Sequence, residues 1–296
     1  MKVIFNPLIP ANAGTQMTNR KPARVVLNTI LATEPYDLGP GIRRDERGFV
    51  SMGRRDRTAR IGITVFALAL ATPAFAGPPY VTDDAEPTDL GHWENYTFVS
   101  GVHTPGDTGG QAGFDLNYGG FKDTQLTAVI PLDYDNRFAG SGDIELAIKY
   151  KFLHQSDGTL KPDVAVFPRV FVPLQNSRFG PDRAQLLLPL WAEKDWGKWS
   201  LFGGGGYEIN PGPGARNFWQ TGVALSRQVT DKLSLGGEVY HQTAETTDSR
   251  DFTGANLGAT YKLTDHWTLM GAGGPGVQNA RQGGQYDFYV ALLATY

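Results

Sequence analysis

The chain of 296 residues contains no cysteine. An exported product of this sequence therefore has no disulfide staple and must draw its stability from the fold itself. Beyond residue 71 no continuous apolar run reaches the roughly eighteen residues that a membrane-spanning helix requires. Basic residues are scarce downstream as well. Residues 77–296 hold 16 Lys plus Arg against 25 Asp plus Glu, a net charge of −9 where the whole chain carries −3. That balance argues against a nucleic-acid partner, whose phosphates need a basic face. The five histidines, His92, His103, His154, His241 and His266, show no ligand spacing of the His-Glu-x-x-His kind, so no metal and no other cofactor is expected.

What is present begins with a secretory signal placed more than fifty residues from Met1. Four arginines (Arg54, Arg55, Arg57, Arg60) precede an apolar run from Ile61 to Ala71, and Ala74-Phe75-Ala76 suits cleavage before Gly77. Asp56-Arg57-Thr58 follows Arg54-Arg55 where a twin-arginine signal has apolar residues. Export signals act from the N-terminus, so Met52 reads as the functional start. Residues 1–51 then read as a mis-annotated or disordered extension, 52–76 as the signal peptide, 77–90 as an acidic pre-barrel segment and 91–296 as the folded body. Glycine rather than cysteine at position 77 excludes a lipid anchor.

Downstream of the signal the dominant pattern is alternation. Ile144, Leu146, Ile148, Tyr150 and Phe152 alternate with Asp143, Glu145, Ala147, Lys149 and Lys151, a period of two that a strand can use and a helix cannot. Twelve such segments are expected, near 91–101, 112–119, 123–133, 142–153, 163–173, 183–194, 198–209, 216–228, 232–242, 251–262, 265–273 and 285–296. Tight polar turns follow the even-numbered segments, except for the longer 154–162. Connections after the odd-numbered ones are longer and richer in Gly, Pro and Asn. This rhythm predicts a twelve-stranded antiparallel transmembrane β-barrel of the outer-membrane type, all-β, with short turns in the periplasm and long loops outside. Trp93, Trp196, Trp199 and Trp267 would form the periplasmic aromatic girdle, and Phe218, Trp219, Phe252, Tyr286 and Phe288 the outer one. The Gly203 to Gly206 run sits inside a strand with no following Lys or helix, so it reads as close backbone packing rather than a phosphate loop.

If the apolar parity faces lipid, the opposite parity lines the lumen. Those positions are Asp115, Asn117, Glu145, Lys149, Lys151, Arg169, Glu208, Gln220, Glu238, Tyr240, Asn256 and Lys262. Both signs of charge occur, which fits either a structural network across the strands or a set of solute contacts. The acidic segment, with Asp83, Asp84 and Glu86 between Pro79 and Pro87, could dock against Lys149 or Lys151 as a plug, or could remain a solvated leader. The final strand presents Tyr286, Phe288, Val290, Leu292, Ala294 and Tyr296 on one face. It resembles the signal read by the bacterial outer-membrane assembly machinery, with a terminal Tyr in place of the usual Phe.

The segment Pro79-Tyr80-Val81-Thr82-Asp83-Asp84-Ala85-Glu86-Pro87, followed by Gly91-His92-Trp93-Glu94, resembles the start of a family of outer-membrane transporters named for the MetA pathway of phenol degradation. Ala85 stands where that family commonly has Pro. The resemblance runs on to Tyr296 and implies passage of aromatic or other apolar compounds. It assigns no residue to a substrate.

The functional expectation is a passive channel or transporter for a small solute, not an enzyme, in the outer membrane of a Gram-negative bacterium. Its expected partners are outer-membrane lipid, the assembly machinery and the solute itself. A non-transporting structural or adhesive barrel that binds through its outer loops is the competing class. A rim lipid hydrolase built on His241 is a third class, but no serine stands within reach of that histidine to serve as nucleophile. Edman sequencing of the protein recovered from outer membranes should start at or near Gly77; recovery of any part of Met1 to Ser51 would refute the assigned start.

Overall fold

The computed structural model describes residues 79–174, 179 and 183–296, so the signal at 54–76 and the extension at 1–51 lie outside the described residues. Twelve antiparallel strands form one ring. They are β1 (Trp93–Thr104), β2 (Asp107–Phe121), β3 (Thr124–Tyr134), β4 (Ala139–Ser141 and Ile144–Leu153) and β5 (Asp163–Val166 and Arg169–Val172). Next come β6 (Gln185–Trp196), β7 (Trp199–Ile209), β8 (Phe218–Gln228), β9 (Leu233–Gln242), β10 (Phe252–Lys262), β11 (Trp267–Gln278) and β12 (Tyr286–Thr295). Each strand pairs with its neighbours in sequence, and β12 pairs with β1 from Glu94↔Thr295 to His103↔Tyr286, so the ring is closed. Trp93 N–H donates to the Tyr296 carbonyl at 2.6 Å, and Tyr296 N–H returns the bond at 3.1 Å. Closure leaves no unpaired sheet edge, which hydrocarbon would penalise by several kcal/mol for each bare polar group.

The twelve alternating segments of the sequence correspond to these strands, with differences at their ends. The first outer connection is a tight turn at Pro105-Gly106 rather than a ten-residue loop, because β2 extends back to Asp107. Gly109 and Gly110 look like loop residues in sequence. Paired opposite Val102 and Gly101, Gly110 lies where a Cβ would come within 1.9 Å of the Ser100 carbonyl. β11 likewise runs on to Gln278, and a one-turn helix, α1 (Ala280–Gly283), leads to β12.

The short turns at the rim that carries Gly91 and Tyr296 are held by their own side chains. Thr230 Oγ1 accepts from the N–H groups of Lys232 and Leu233, and Thr264 Oγ1 accepts from those of His266 and Trp267. The same Thr-Asp dipeptide thus caps two hairpins by one mechanism. β5 is interrupted at Phe167-Pro168, since Pro168 has no N–H for the ladder. The alternation of faces nevertheless passes through the break, so Ala165, Phe167, Arg169 and Phe171 all point inward.

The outer wall is apolar, with Phe114, Leu146, Ile148, Leu188, Val223, Val239 and Val290 exposed toward lipid. Trp93, Trp196, Trp199 and Trp267 are exposed at the strand ends beside the short turns, and Trp219 and Tyr286 at the opposite ends. Two residues expected in the outer girdle face the other way. Phe218 and Phe252 are 1% and 7% exposed and turn into the lumen, because they share the parity of Gln220 and Asn256 on their own strands. Inside, Tyr96, Phe98, Val129, Met270, Ala291 and Leu293 pack with Tyr289 into an apolar cluster between the first three strands and the last two.

Val223 lies midway along β8, opposite Val239 and Gly203. A charged side chain at the bilayer midplane typically costs about 2–4 kcal/mol. Val223→Arg should therefore lower the unfolding free energy by about that amount in denaturant titrations of the barrel folded into lipid vesicles.

Candidate functional site

The acidic segment runs inside the barrel. Gly91, with φ of 81°, turns the chain at the rim beside the short turns, and Leu90 bridges to Gly119, so residues 79–90 fold back into the lumen from the start of β1. Pro79 and Pro87 limit its backbone freedom. The Asp83 carboxylate accepts the N–H of Asp84 and the Asp84 carboxylate accepts that of Glu86, which kinks the segment locally.

One flank of this leader meets bases on β4 and β5. Lys149 Nζ lies 3.0 Å from Asp83 Oδ1 and 2.8 Å from Asp84 Oδ1, and Arg169 donates to Asp83 Oδ2. One carboxylate, that of Asp83, therefore bridges two cations. The Phe167 ring supports both, with Lys149 Nζ 4.9 Å and Arg169 Cζ 4.1 Å from its centroid. Toward the rim, Lys151 pairs with Glu86 at 2.6 Å, and Thr88 N–H donates to Gln125.

The other flank meets β9 across the lumen. Glu238 accepts the N–H groups of Val81 and Thr82 at 2.9 and 2.8 Å and a bond from Asn256 Nδ2 at 3.0 Å. Beside it the wall is cut back to fit the leader. A Cβ on Gly222 would lie 2.1 Å from Thr82 Oγ1, and one on Gly258 2.6 Å from the Tyr80 ring. Tyr80 fills that space against Phe202 and Ala224.

Magnitudes rank these contacts. The Lys151–Glu86 pair has a half-exposed partner and contributes at most about 1 kcal/mol. Lys149 and Arg169 are almost fully buried, and removing one partner of a buried pair typically costs about 3–5 kcal/mol. The bonds to Glu238 each contribute about 1.5–3 kcal/mol, the range for hydrogen bonds to charged groups. The leader is thus fastened at two points on opposite walls.

The two aspartates divide in their acidity. Burial works to raise Asp83, but the cations of Lys149 and Arg169 prevail and hold it below the usual carboxyl range. Burial pushes Asp84 up to about 7 against the pull of Lys149, with the charge of Asp83 adding to the rise. Glu86 is raised too, first by burial.

Of the positions expected to line the lumen, Asp115, Asn117, Glu145, Lys149, Lys151, Arg169, Glu208, Gln220, Glu238, Tyr240 and Asn256 lie on the inner face. They fall into separate groups. Glu145 stands 3.5 Å from Arg169 in the leader site, and Asn256 joins Glu238. Asn117 binds Asp115 and Thr127, Gln220 binds Glu208, and Tyr240 binds Asp287. Lys262 belongs to none of them. It sits at the strand end, half-exposed, and pairs with Asp265 in the β10–β11 turn at 3.3 Å. Phe167 and Glu193 are part of the leader's surroundings without having been singled out in the sequence. Phe167 shares parity with Arg169, and Glu193 accepts the N–H of Ala85. In β12, Phe288, Val290 and Leu292 alternate outward with Tyr296, whose hydroxyl accepts from Asn95.

A family model described as "Putative MetA-pathway of phenol degradation" matches residues 75–291. The chain belongs to that family. Among solved structures it is similar to the COG4313 outer membrane channel from Pseudomonas putida F1, at 14% identity and TM-score 0.57, over 72% of this chain and 98% of that one. It is also similar to the NanC porin, at 9% identity and TM-score 0.50, over 68% and 99%. The outer membrane phospholipase A from Escherichia coli matches more loosely, at 13% identity and TM-score 0.42, over 73% and 92%. No curated protein matches. Both of the better-matching structures are outer-membrane barrels, which is the fold found here.

Free Asp84 ionises near pH 4, whereas docked it keeps its proton to about pH 7, so raising pH between those values weakens docking. Asp83 acts in the opposite sense, favouring docking as pH rises through the ordinary Asp range and losing that contribution below it. Between pH 5 and 8 Asp83 is ionised in both states, so the Asp84 effect governs. Open probability in planar bilayers should rise from pH 5 to pH 8, and Asp84→Asn should blunt that rise.

Proposed function

We propose that this family member is a passive outer-membrane channel for a small aromatic or apolar solute, gated by its own leader. The observation that carries the reading is the fastening of residues 79–90 to Lys149 and Arg169 on one wall and to Glu238 on the opposite wall. Gly222 on β8 and Gly258 on β10 leave room for Thr82 and Tyr80, so the wall is shaped to the docked leader. The apolar cluster of Tyr96, Phe98, Met270 and Tyr289, packed and buried in this state, makes one side of the lumen apolar, which suits a solute with an apolar body. The family description supports the same class of solute. Passage is by diffusion and uses no cofactor. The outer-membrane lipid, the assembly machinery that reads Phe288, Val290, Leu292 and Tyr296, and the solute are the partners in this reading.

An enzymatic rim is the less favoured reading: His241 Nδ1 lies 2.9 Å from the Thr253 hydroxyl, which also bonds Gln278 at 2.8 Å, and the side-chain bonds of His241 among the described residues include no serine to serve as nucleophile.

Deleting residues 77–90 should raise swelling rates of reconstituted liposomes for phenolic solutes more than for fatty acids or sugars. Flux unchanged by the deletion would remove the gate, and no flux of any solute would favour a structural or adhesive barrel.

A further inference from the structure

We propose that Lys149, Arg169 and Phe167 form a binding site for the carboxylate of a small aromatic acid, and that the leader closes the channel by occupying this site with Asp83. This deepens the gated-channel reading and rests on it. The bridging geometry is the first ground. Asp83 Oδ1 takes Lys149 and Asp83 Oδ2 takes Arg169, so a single carboxylate satisfies two cations from neighbouring strands. Any free carboxylate can make the same two bonds.

The charge inventory is the second ground. Lys149 and Arg169 have side chains 5% and 6% exposed. Once the leader leaves, the described ion pairs include just one further carboxylate for them, Glu145 at 3.5 Å from Arg169 and none on Lys149. Two cations that lose the leader's carboxylates keep one counter-charge between them, so release of the leader is favoured when an anion takes its place. The rest of the described lumen is rich in acids, among them Asp115, Glu193, Glu208 and Asp287, so an anion is stabilised at the Lys149–Arg169 pair, while Lys151 keeps Asp163 at 3.9 Å when Glu86 leaves.

The third ground is the floor of the site. Phe167 is buried against Ala147 and Trp191, with both cations at its ring. A carboxylate joined to an apolar or aromatic body places its charge on the cations and its body along this wall. A neutral alcohol of the same shape lacks the charge that the site demands.

The chain has no cysteine, so Ala85→Cys introduces a single thiol at a position fully buried while the leader is docked. In liposomes holding the whole mature chain, sodium benzoate should speed labelling of that thiol by a membrane-impermeant maleimide about tenfold, the factor for one charge-assisted bond exchanged. Benzyl alcohol at equal concentration should leave it unchanged, and Arg169→Gln should abolish the benzoate effect. Equal responses to the two compounds, or none to benzoate, would overturn the proposal. If Ala85→Cys itself releases the leader, the chain without it decides by liposome swelling. Benzoate should permeate faster than benzyl alcohol, and Arg169→Gln should erase the difference; no difference in the unaltered chain would again overturn it. The deletion of residues 77–90 keeps the two ideas apart, because increased flux on deletion preserves the gate whatever benzoate does.

Discussion

Everything in this molecule depends on the pairing of backbone N–H and C=O groups around a closed ring. In hydrocarbon no water is available to accept an unsatisfied group, so the first and last strands must meet, and they do so from Glu94↔Thr295 to His103↔Tyr286. Closure in turn imposes a strict division of side chains. Each strand has one face for lipid and one for the lumen, and a shift of one residue would exchange them wholesale. Prolines at positions 131, 168, 189 and 275 are tolerated because the remaining bonds of the ladder, such as Ile148 N–H to the Pro168 carbonyl, keep the ring intact.

The same closure creates an interior that must be filled or hydrated. Twelve strands enclose more space than eight, which side chains alone fill. Here the apolar cluster around Tyr96 and Phe98 occupies one side, and the leader crosses the rest. Its two anchor points differ in kind. At Lys149 and Arg169 the leader supplies the negative charge, while at Glu238 the barrel supplies it and the leader offers backbone N–H groups. The leader therefore complements both walls with a stretch of four residues, Val81 to Asp84, and the position of Asp83 relative to Thr82 is what makes this fit.

Strand number and order were legible because alternation and turn chemistry are local. Trp196 and Trp199 flanking Gly197, or Thr230 ahead of Asp231, announce a hairpin within a few residues. The inner face was legible wherever polar residues marked it, as at Glu238 and Asn256. Phe218 and Phe252 carry no such mark of their own, because an aromatic near a strand end suits either face; the parity of Gln220 and Asn256 is what places them inward. Lys262 has inward parity but sits too close to the turn to reach the lumen. The leader's docking site was legible only as charge complementarity. Its contact with Glu238 joins positions more than 150 residues apart, and no local pattern marks Gly222 or Gly258 as a seat rather than a wall residue.

The leader is continuous with β1 through Gly91, so once released it cannot diffuse away. Its twelve described residues reach at most about 40 Å when extended. For a segment tethered this closely the relevant quantity is effective concentration, of millimolar order for short flexible links. Reclosure is then intramolecular and independent of how many barrels the membrane holds. Under the proposed gating, a solute that takes the leader's place acts against that local concentration, so the length of chain between Asp83 and Gly91 enters the threshold at which the lumen responds.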